Sequence, residues 1–307
     1  MKKIIVILSV FLMSSSLCAQ PAAFSWFSRH ENFNYISTAK DQEEQGPCRI
    51  FASVAAVEAM AQIYFNKNGA ALNLSESNIY NGGYGCPGFG CSIGSASVEE
   101  SLGLIKSSGI VDENCFPYPT QPEYCRTDCD NICDNPANLV TIPKYLKINP
   151  GNNTELKQAI MDYGPIIAVI AGTKNGYNVG CELHPGGNCN YSHTVLIVGW
   201  KSSPSFQWDI KDSWPNDAKI FYSSVDIFSY KKPAPMFYMI HPVYNGNTIS
   251  CSGSDCSIFN NRSYEDHDGD GFYNWGLDLS SKPAGCSGPD KMDFDDDDAD
   301  HIFFKRV

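Results

Sequence analysis

A cysteine, a histidine and an aspartate stand in that order at places where a folded chain can hold them rigidly. Cys48 opens the stretch CRIFASVAAVEAMAQIYF, which is apolar around most of its circumference and poor in Gly and Pro, so a buried helix over Cys48–Phe65 is predicted. Gly46-Pro47 is its start signal, because proline wastes no amide hydrogen in a first turn. At a helix start, unsatisfied amide hydrogens and the positive end of the macrodipole favour a thiolate over a thiol, which is how a nucleophile is made. A thiolate nucleophile needs a proton shuttle, and His193 immediately precedes the short β-branched run Thr194 to Trp200. Asp212 ends the next such run, and if the two strands form a hairpin its carboxylate can accept a hydrogen bond from the second ring nitrogen and orient the imidazole. Taken singly, each residue has a plainer reading: half of a disulfide, a structural histidine and a turn residue.

The elements that must carry these groups follow from the texture of the chain. Besides the helix from Cys48, helices are expected over Ala96 to Lys106 and Glu155 to Asp162. Pro165 to Ala171, Thr194 to Trp200 and Phe206 to Lys211 are short, β-branched and bounded by Gly, Pro or Ser, and read as strands. Helices first and strands later predict an α+β protein with two segregated lobes.

Composition narrows the function classes. A hydrophobic share of 43% in 307 residues excludes global disorder, and 34 acidic against 22 basic residues, with no basic cluster, exclude nucleic acid as a partner. Thirteen cysteines point to an oxidising compartment. Lys2 and Lys3, the apolar run Ile4 to Met13 and Leu17-Cys18-Ala19 form an export signal, making residues 1–19 a signal peptide and the mature protein secreted or periplasmic. Leu17 before Cys18 is unlike a lipoprotein signal, so cleavage after Ala19 is expected over a lipid anchor. The apolar run is shorter than the roughly 20 residues that span a bilayer, and no later stretch is longer without charge, so no transmembrane segment is expected.

From about Phe24 to about Tyr244 the chain resembles the papain-like cysteine peptidases, of an exported bacterial type. Asn34 to Gln42 is similar to the family's lead-in, and Gln42 stands six positions before Cys48, where the family keeps its oxyanion-hole glutamine. Phe51-Ala52-Ser53 and Glu58 fall where the active-site helix has its Phe, small residues and Glu. Leu74-Ser75-Glu76, Gly90-Cys91-Ser92-Ile93-Gly94, Gly109-Ile110, Phe116-Pro117-Tyr118, Gly164-Pro165-Ile166, Gly199-Trp200 and Lys211-Asp212-Ser213-Trp214 resemble further family motifs in the family's order. The resemblance implies a two-lobe fold, helical on one side and strand-rich and barrel-like on the other, with the cleft between. It implies a secreted endopeptidase acting on proteins or peptides through a thioester acyl-enzyme, with Cys48, His193 and Asp212 as triad and Gln42 in the oxyanion hole. Gly94, Tyr191 and Ser192 would line the substrate site and Trp214 would shield the His193–Asp212 pair. No cofactor is implied for catalysis.

Departures from the family pattern bear on activity. Asp212 replaces the usual Asn, and an anion favours imidazolium more strongly than an amide does. Arg49 replaces the Trp after the nucleophile and is expected either to lower the Cys48 pKa and contact substrate or to be a solvated rim residue. Pro47 replaces a small residue, Gln45 a disulfide cysteine, and Pro215 the Gly after Ser-Trp. About 28 residues separate Ala19 from Cys48, which leaves no room for the inhibitory propeptide of the relatives, so activity without prodomain removal is expected. Asp212 keeps a papain-fold transglutaminase or a cell-wall amidase as an alternative, and Arg49 with Pro47 keeps a catalytically inactive binding protein.

After signal removal 12 cysteines remain, and setting Cys48 aside leaves an odd number. Cys181 with Cys189 and Cys251 with Cys256 are plausible local pairs, and Cys115 with Cys125, Cys129 and Cys133 has the makings of two disulfides. A boundary near Asn245-Gly246-Asn247 divides a peptidase domain over 20–247 from an Asp-rich appendix over 248–307, whose residues 251–307 hold 13 acidic and 5 basic side chains. Asp266, Asp268 and Asp270 before Gly271 have the alternate spacing of a calcium loop, and carboxylates from Asp293 to Asp300, Asp295 among them, would complete the shell of a structural calcium ion. The oligomeric state is left open.

Overall fold

A computed structural model of the chain describes residues 20–28, 34–43, 46–80, 97–118, 133–184, 191–214 and 219–256. The expected signal peptide, Gly94, Pro215, the cysteines Cys125, Cys129 and Cys189, and the calcium-loop residues Asp266, Asp268, Asp270 and Asp295 lie outside the described residues.

The helical side is built on α1 (Cys48–Phe65), with α2 (Glu76–Tyr80) and α3 (Val98–Ser108) against it. α1 is buried on all sides, as its continuous apolar composition requires, and Glu58 and Gln62 are enclosed with it. It ends at Asn66, whose left-handed backbone (φ 53°) lets its amide reach the carbonyls of Gln62 and Ile63. Ser97 caps α3 in a reciprocal box with Glu100, which moves the start from the expected Ala96 to Val98. α4 (Asn153–Tyr163), by contrast, starts earlier than expected, because Asn152 caps it through the amide of Glu155.

The strand-rich side is one seven-stranded antiparallel sheet. Its members are β1 (Ala23–Ser25), β4 (Lys144–Ile148), β5 (Ile166–Ile170), β6 (His193–Lys201), β7 (Gln207–Lys211), β8 (Ile220–Ser223) and β9 (Met236–His241). The order is β4-β9-β5-β6-β7-β8, with β1 on the far end of β6. The hydrophobic runs of β5 and β6 are enclosed on both faces, because α1 and α4 pack against them. β6 and β7 are antiparallel neighbours, the pairing that the His193 and Asp212 argument required. A smaller sheet of β2 (Ile110–Val111), β3 (Leu139–Thr141) and β12 (Ser250–Ser252) lies on the helical side. β10 (Val243–Tyr244) and β11 (Asn247–Thr248) form a hairpin whose turn uses Asn245 and Gly246, both at positive φ. The Asn245-Gly246-Asn247 segment is therefore a turn, and the chain goes on to pair β12 with β3 and to close the Cys251–Cys256 disulfide. Cys115 pairs with Cys133, and Cys181 is disulfide-bonded.

A buried charge network joins the two sides. Glu58 accepts from the Ser37 hydroxyl and, at 2.7 Å, from the Leu74 amide, and it lies 3.6 Å from both Lys40 and Lys211. Lys40 also contacts Glu76 at 2.6 Å and Glu113 at 3.8 Å. Burial alone would lift the Glu58 carboxyl, but Lys40 and Lys211 hold it below the ordinary range. Burial, followed by the repulsion of Glu58 and Glu113 acting against Lys40, pushes Glu76 up to about 7. Removing one partner from such a network strands the other charges in a dry interior. Glu58→Ala should therefore lose about 3–5 kcal/mol of stability, read by urea unfolding of the purified protein. A loss below about 1 kcal/mol would show that the network contributes little.

Candidate active site

Cys48 is the first residue of α1, with Pro47 as N-cap and the Pro47 carbonyl accepting from the amides of Ile50 and Phe51. Its thiol is half-buried and is the one free cysteine among the described residues. Burial pushes that thiol up, but His193 and then Thr194, through hydrogen bonding and, for His193, charge, outweigh burial and leave it below the ordinary thiol range.

His193 opens β6 and is 1% exposed. Its Nε2 donates to Asp212 Oδ1 at 2.6 Å, which leaves Nδ1 as the nitrogen available to Cys48. Burial disfavours the imidazolium, yet the charge of Asp212 and bonds to Asp212 and Cys48 raise His193 to about 10. Asp212 follows the end of β7, and Oδ1 also accepts from the Ser213 amide at 2.7 Å. The charge of His193, its hydrogen bond and the facing His184 ring overcome the burial of Asp212 and hold its carboxyl well below the ordinary range.

The structure thus brings Cys48, His193 and Asp212 together from three elements. Gln42 joins them: it is buried, its amide donates to the Ser213 carbonyl at 3.0 Å, and its Oε1 accepts from the Ser213 hydroxyl at 2.8 Å. With Oε1 so engaged, the side-chain nitrogen is its remaining donor end. Trp214 meets the His193 ring edge-on, with centroids 4.8 Å apart. Tyr191, 52% exposed, and Ser192 sit at the rim, with Tyr191 6.2 Å from Trp214. The charge of Arg49 is felt at Glu100 and Tyr238, on the side of α1 that meets α3 and β9.

One member of the cluster escaped the sequence reading. His184, just after α5 (Gly180–Leu183), is 7% exposed, with Nε2 2.9 Å from Asp212 Oδ2 and its ring stacked on Trp214 at 4.7 Å. The signal available was its place within the expected Cys181–Cys189 loop, a short way before His193. His184, His193 and Asp212 offer ligand atoms within 4.8 Å of one another. Their 2.6 and 2.9 Å separations are hydrogen-bond distances, shorter than the roughly 3.3 Å ligand spacing that ~2.0 Å bonds impose on tetrahedral zinc, so as placed the cluster is a proton network.

With this geometry in hand, comparison with known proteins is informative. Residues 20–219 match the family model described as papain family cysteine protease. Digestive cysteine proteinase 2 of Homarus americanus is 26% identical over 217 residues, covering 67% of this chain and 61% of that protein. Digestive cysteine proteinase 1 of the same species is 30% identical, covering 58% and 54%. Cathepsin K of Mus musculus is 29% identical, covering 59% and 53%. The chain thus spans about half to six tenths of the length of these relatives. Among solved structures, digestive procathepsin L 3 of Tenebrio molitor larval midgut is similar with a TM-score of 0.50 and 22% identity, covering 74% of this chain and 71% of that one. A structure reported for the mite allergens Blo t 1 and Der p 1 gives a TM-score of 0.50 at 20% identity over 75% and 74%. At these identities the structural likeness speaks for a papain-like fold alone.

The opposed shifts of Cys48 and His193 define a pH window. A thiol held low stays thiolate below its ordinary range, and an imidazole held high stays charged until pH approaches about 10. Iodoacetamide should accordingly alkylate Cys48 at about pH 6 at least tenfold faster than a simple thiol of ordinary pKa near 8.5, and His193→Ala should abolish the advantage. Equal rates for wild type and His193→Ala would mean that the two groups are not coupled.

Proposed function

The chain belongs to the papain family of cysteine proteases, and from that premise we propose that it is an exported endopeptidase hydrolysing peptide bonds through Cys48, His193 and Asp212. The observation that carries the reading is the placement of Cys48 at the start of α1, His193 at the start of β6 and Asp212 just after β7, with His193 Nε2 2.6 Å from the buried Asp212 carboxylate. The lead at residues 1–19 and the cysteine content support export. The relatives named above are animal proteins and do not bear on a bacterial subtype.

Chemistry follows from the positions. The Cys48 thiolate attacks the scissile carbonyl, and the oxyanion is met by the Gln42 side chain and the Cys48 amide, each donor worth about 3 kcal/mol in comparable enzymes. His193 gives its proton to the leaving amine, which departs and leaves a thioester on Cys48. The neutral imidazole then takes a proton from water as the water attacks the thioester, and the acid product and thiolate–imidazolium pair are restored. Asp212 holds the ring throughout, and Trp214 screens the pair. Tyr191, Ser192 and Gly94 are proposed to line the substrate channel, with a protein or peptide as substrate.

Cys48→Ala should abolish peptide-library cleavage and labelling by a thiol-directed epoxide while the melting curve is retained. Asp212→Asn should remain active, because an amide also orients the ring, whereas Asp212→Ala should lose on the order of 10²-fold or more in kcat. Turnover in folded Cys48→Ala would sink the assignment, and amine incorporation in place of hydrolysis would favour the transglutaminase alternative.

For the Asp-rich appendix we propose a structural calcium ion held by Asp266, Asp268 and Asp270, with Asp295 among the further oxygen donors, on the strength of their spacing alone. Free calcium at a hundred times Kd would add about 2.7 kcal/mol of stability. Titration calorimetry showing no heat of calcium binding, with a melting curve indifferent to chelator, would refute it.

A further inference from the structure

Asp212 is served from two sides. Oδ1 is taken by His193 and the Ser213 amide, at 2.6 and 2.7 Å, and Oδ2 faces His184 Nε2 at 2.9 Å. The two atoms are within hydrogen-bond reach but are not aligned as a hydrogen bond as placed. His184 is itself held firmly. Its amide donates to the Gly180 carbonyl at 2.9 Å, Val179 and Leu183 beside it are buried, Cys181 is disulfide-bonded, and Glu182 pairs with Lys174 at 2.5 Å. Its ring lies on Trp214 and 5.9 Å from the ring of His193.

We infer that His184 is a positioning residue for the triad, holding the Asp212 carboxylate in plane through Oδ2 and sharing its charge, so that one carboxylate serves two imidazoles. The inference rests on the peptidase reading only for its kinetic consequence. A carboxylate grips an imidazolium more tightly than an amide would, and an acid that must release its proton to a leaving amine is slowed by too tight a grip. A second N–H on Oδ2 draws charge from the side of the carboxylate that His193 does not use. It also supplies a donor to an enclosed oxygen that would otherwise be costly to leave bare. Were residue 212 an Asn, one of its two side-chain atoms would be a donor, and the two imidazole N–H groups would not both find an acceptor there. His184 and Asp212 are therefore matched to each other.

Other charged groups around the carboxylate do not replace this contact. Cys48 comes from α1 and couples to His193, and Lys211 of β7 donates to Ser37 at 2.7 Å and lies 3.6 Å from Glu58. Lys40 and Glu76 line a small cavity with Thr194, Lys211, Asp212 and Ser213, and they pair with each other.

The test separates a donor from a packing ring. His184→Phe keeps a ring for Trp214 and removes the donor, and His184→Gln keeps a donor and removes the ring. Each is made alone and, for Phe, also with Asp212→Asn, and followed from about pH 5 to about pH 11 by kcat, KM and the iodoacetamide alkylation rate of Cys48. His184→Phe should lower kcat about tenfold, the cost of one hydrogen bond to a charged group, with KM changed less than about twofold. The alkaline limb should move to higher pH, because Asp212 then grips His193 harder. His184→Gln should recover most of the loss, and in the Asp212→Asn background the Phe change should cost less than about threefold. Wild-type kcat and limb in His184→Phe, equal losses in the Phe and Gln variants, or the same loss with Asp212→Asn would overturn the inference. If the Phe variant does not fold, His184→Asn, too short to reach Oδ2, takes its place with the same outcomes. Should the wild type cleave no peptide, the peptidase reading fails by itself. The alkylation profile still decides the role of His184: a limb shift in the Phe variant that Gln reverses supports it, and an unmoved limb overturns it.

Discussion

The enclosed carboxylate of Glu58 is the point on which the geometry turns. It sits three turns along α1 from Cys48, and it is 3.6 Å from Lys211, the residue immediately before Asp212. One interaction therefore ties the helix that begins at Cys48 to the strand that leads into Asp212. Ser37, Leu74 and Lys40 complete the grip, bringing in the segment that also carries Gln42. Ions so enclosed tolerate few arrangements, because any displacement strands a charge away from its partners. A papain-like cleft between two packed sides needs that property, since its reacting groups come from different sides and must meet within a fraction of an ångström.

Three features of the chain made the centre legible from sequence. Gly46-Pro47 marked the start of α1, and the unbroken apolar run fixed its length, so Cys48–Phe65 is both the expected and the observed helix. The β-branched runs before Trp200 and Lys211 placed His193 and Asp212 at strand ends, and local pairing then brought them together. Where the reading stopped short, the causes are non-local. β4, KYLKI, has two exposed residues and strand character that only its pairing with β9 reveals, and β12 gains its partner from over a hundred residues away. Neither has a neighbour in sequence that would announce it. The helix caps Ser97 and Asn152 were readable in principle, and they account for the shifted starts of α3 and α4.

His184 shows the limit of reasoning by motif. No periodicity surrounds it, and its meaning appears only when the fold sets it beside Asp212 and Trp214. Arg49 shows the converse. Its place next to Cys48 left a role toward the thiol and a rim position both open, and, because successive helical residues diverge by about 100°, its charge is felt toward α3 and β9.

The irregularity in β6 carries a lesson about register. Leu196 and Ile197 face Lys211 and Ile210, but Gly199, Trp200 and Lys201 face Asp209, Trp208 and Gln207, so one extra residue is accommodated at Val198. Beyond that point β1 takes over the edge that β5 occupies nearer the site, Gly199 leaves no room for a side chain against the Phe24 carbonyl, and Ser25 bonds Asp209 at 2.5 Å. The sheet is thereby partitioned into two phases of opposite alternation, like a misfit seam between crystal grains. Residues toward His193 keep one phase, and residues toward the β1 clasp keep the other. Shortening the strand by a single residue at the seam would bring both halves into one phase and turn the side chains of one half to the opposite face. Spacing along β6 is thus a fixed dimension of the geometry around His193 in its own right, separate from the identity of any residue in the strand.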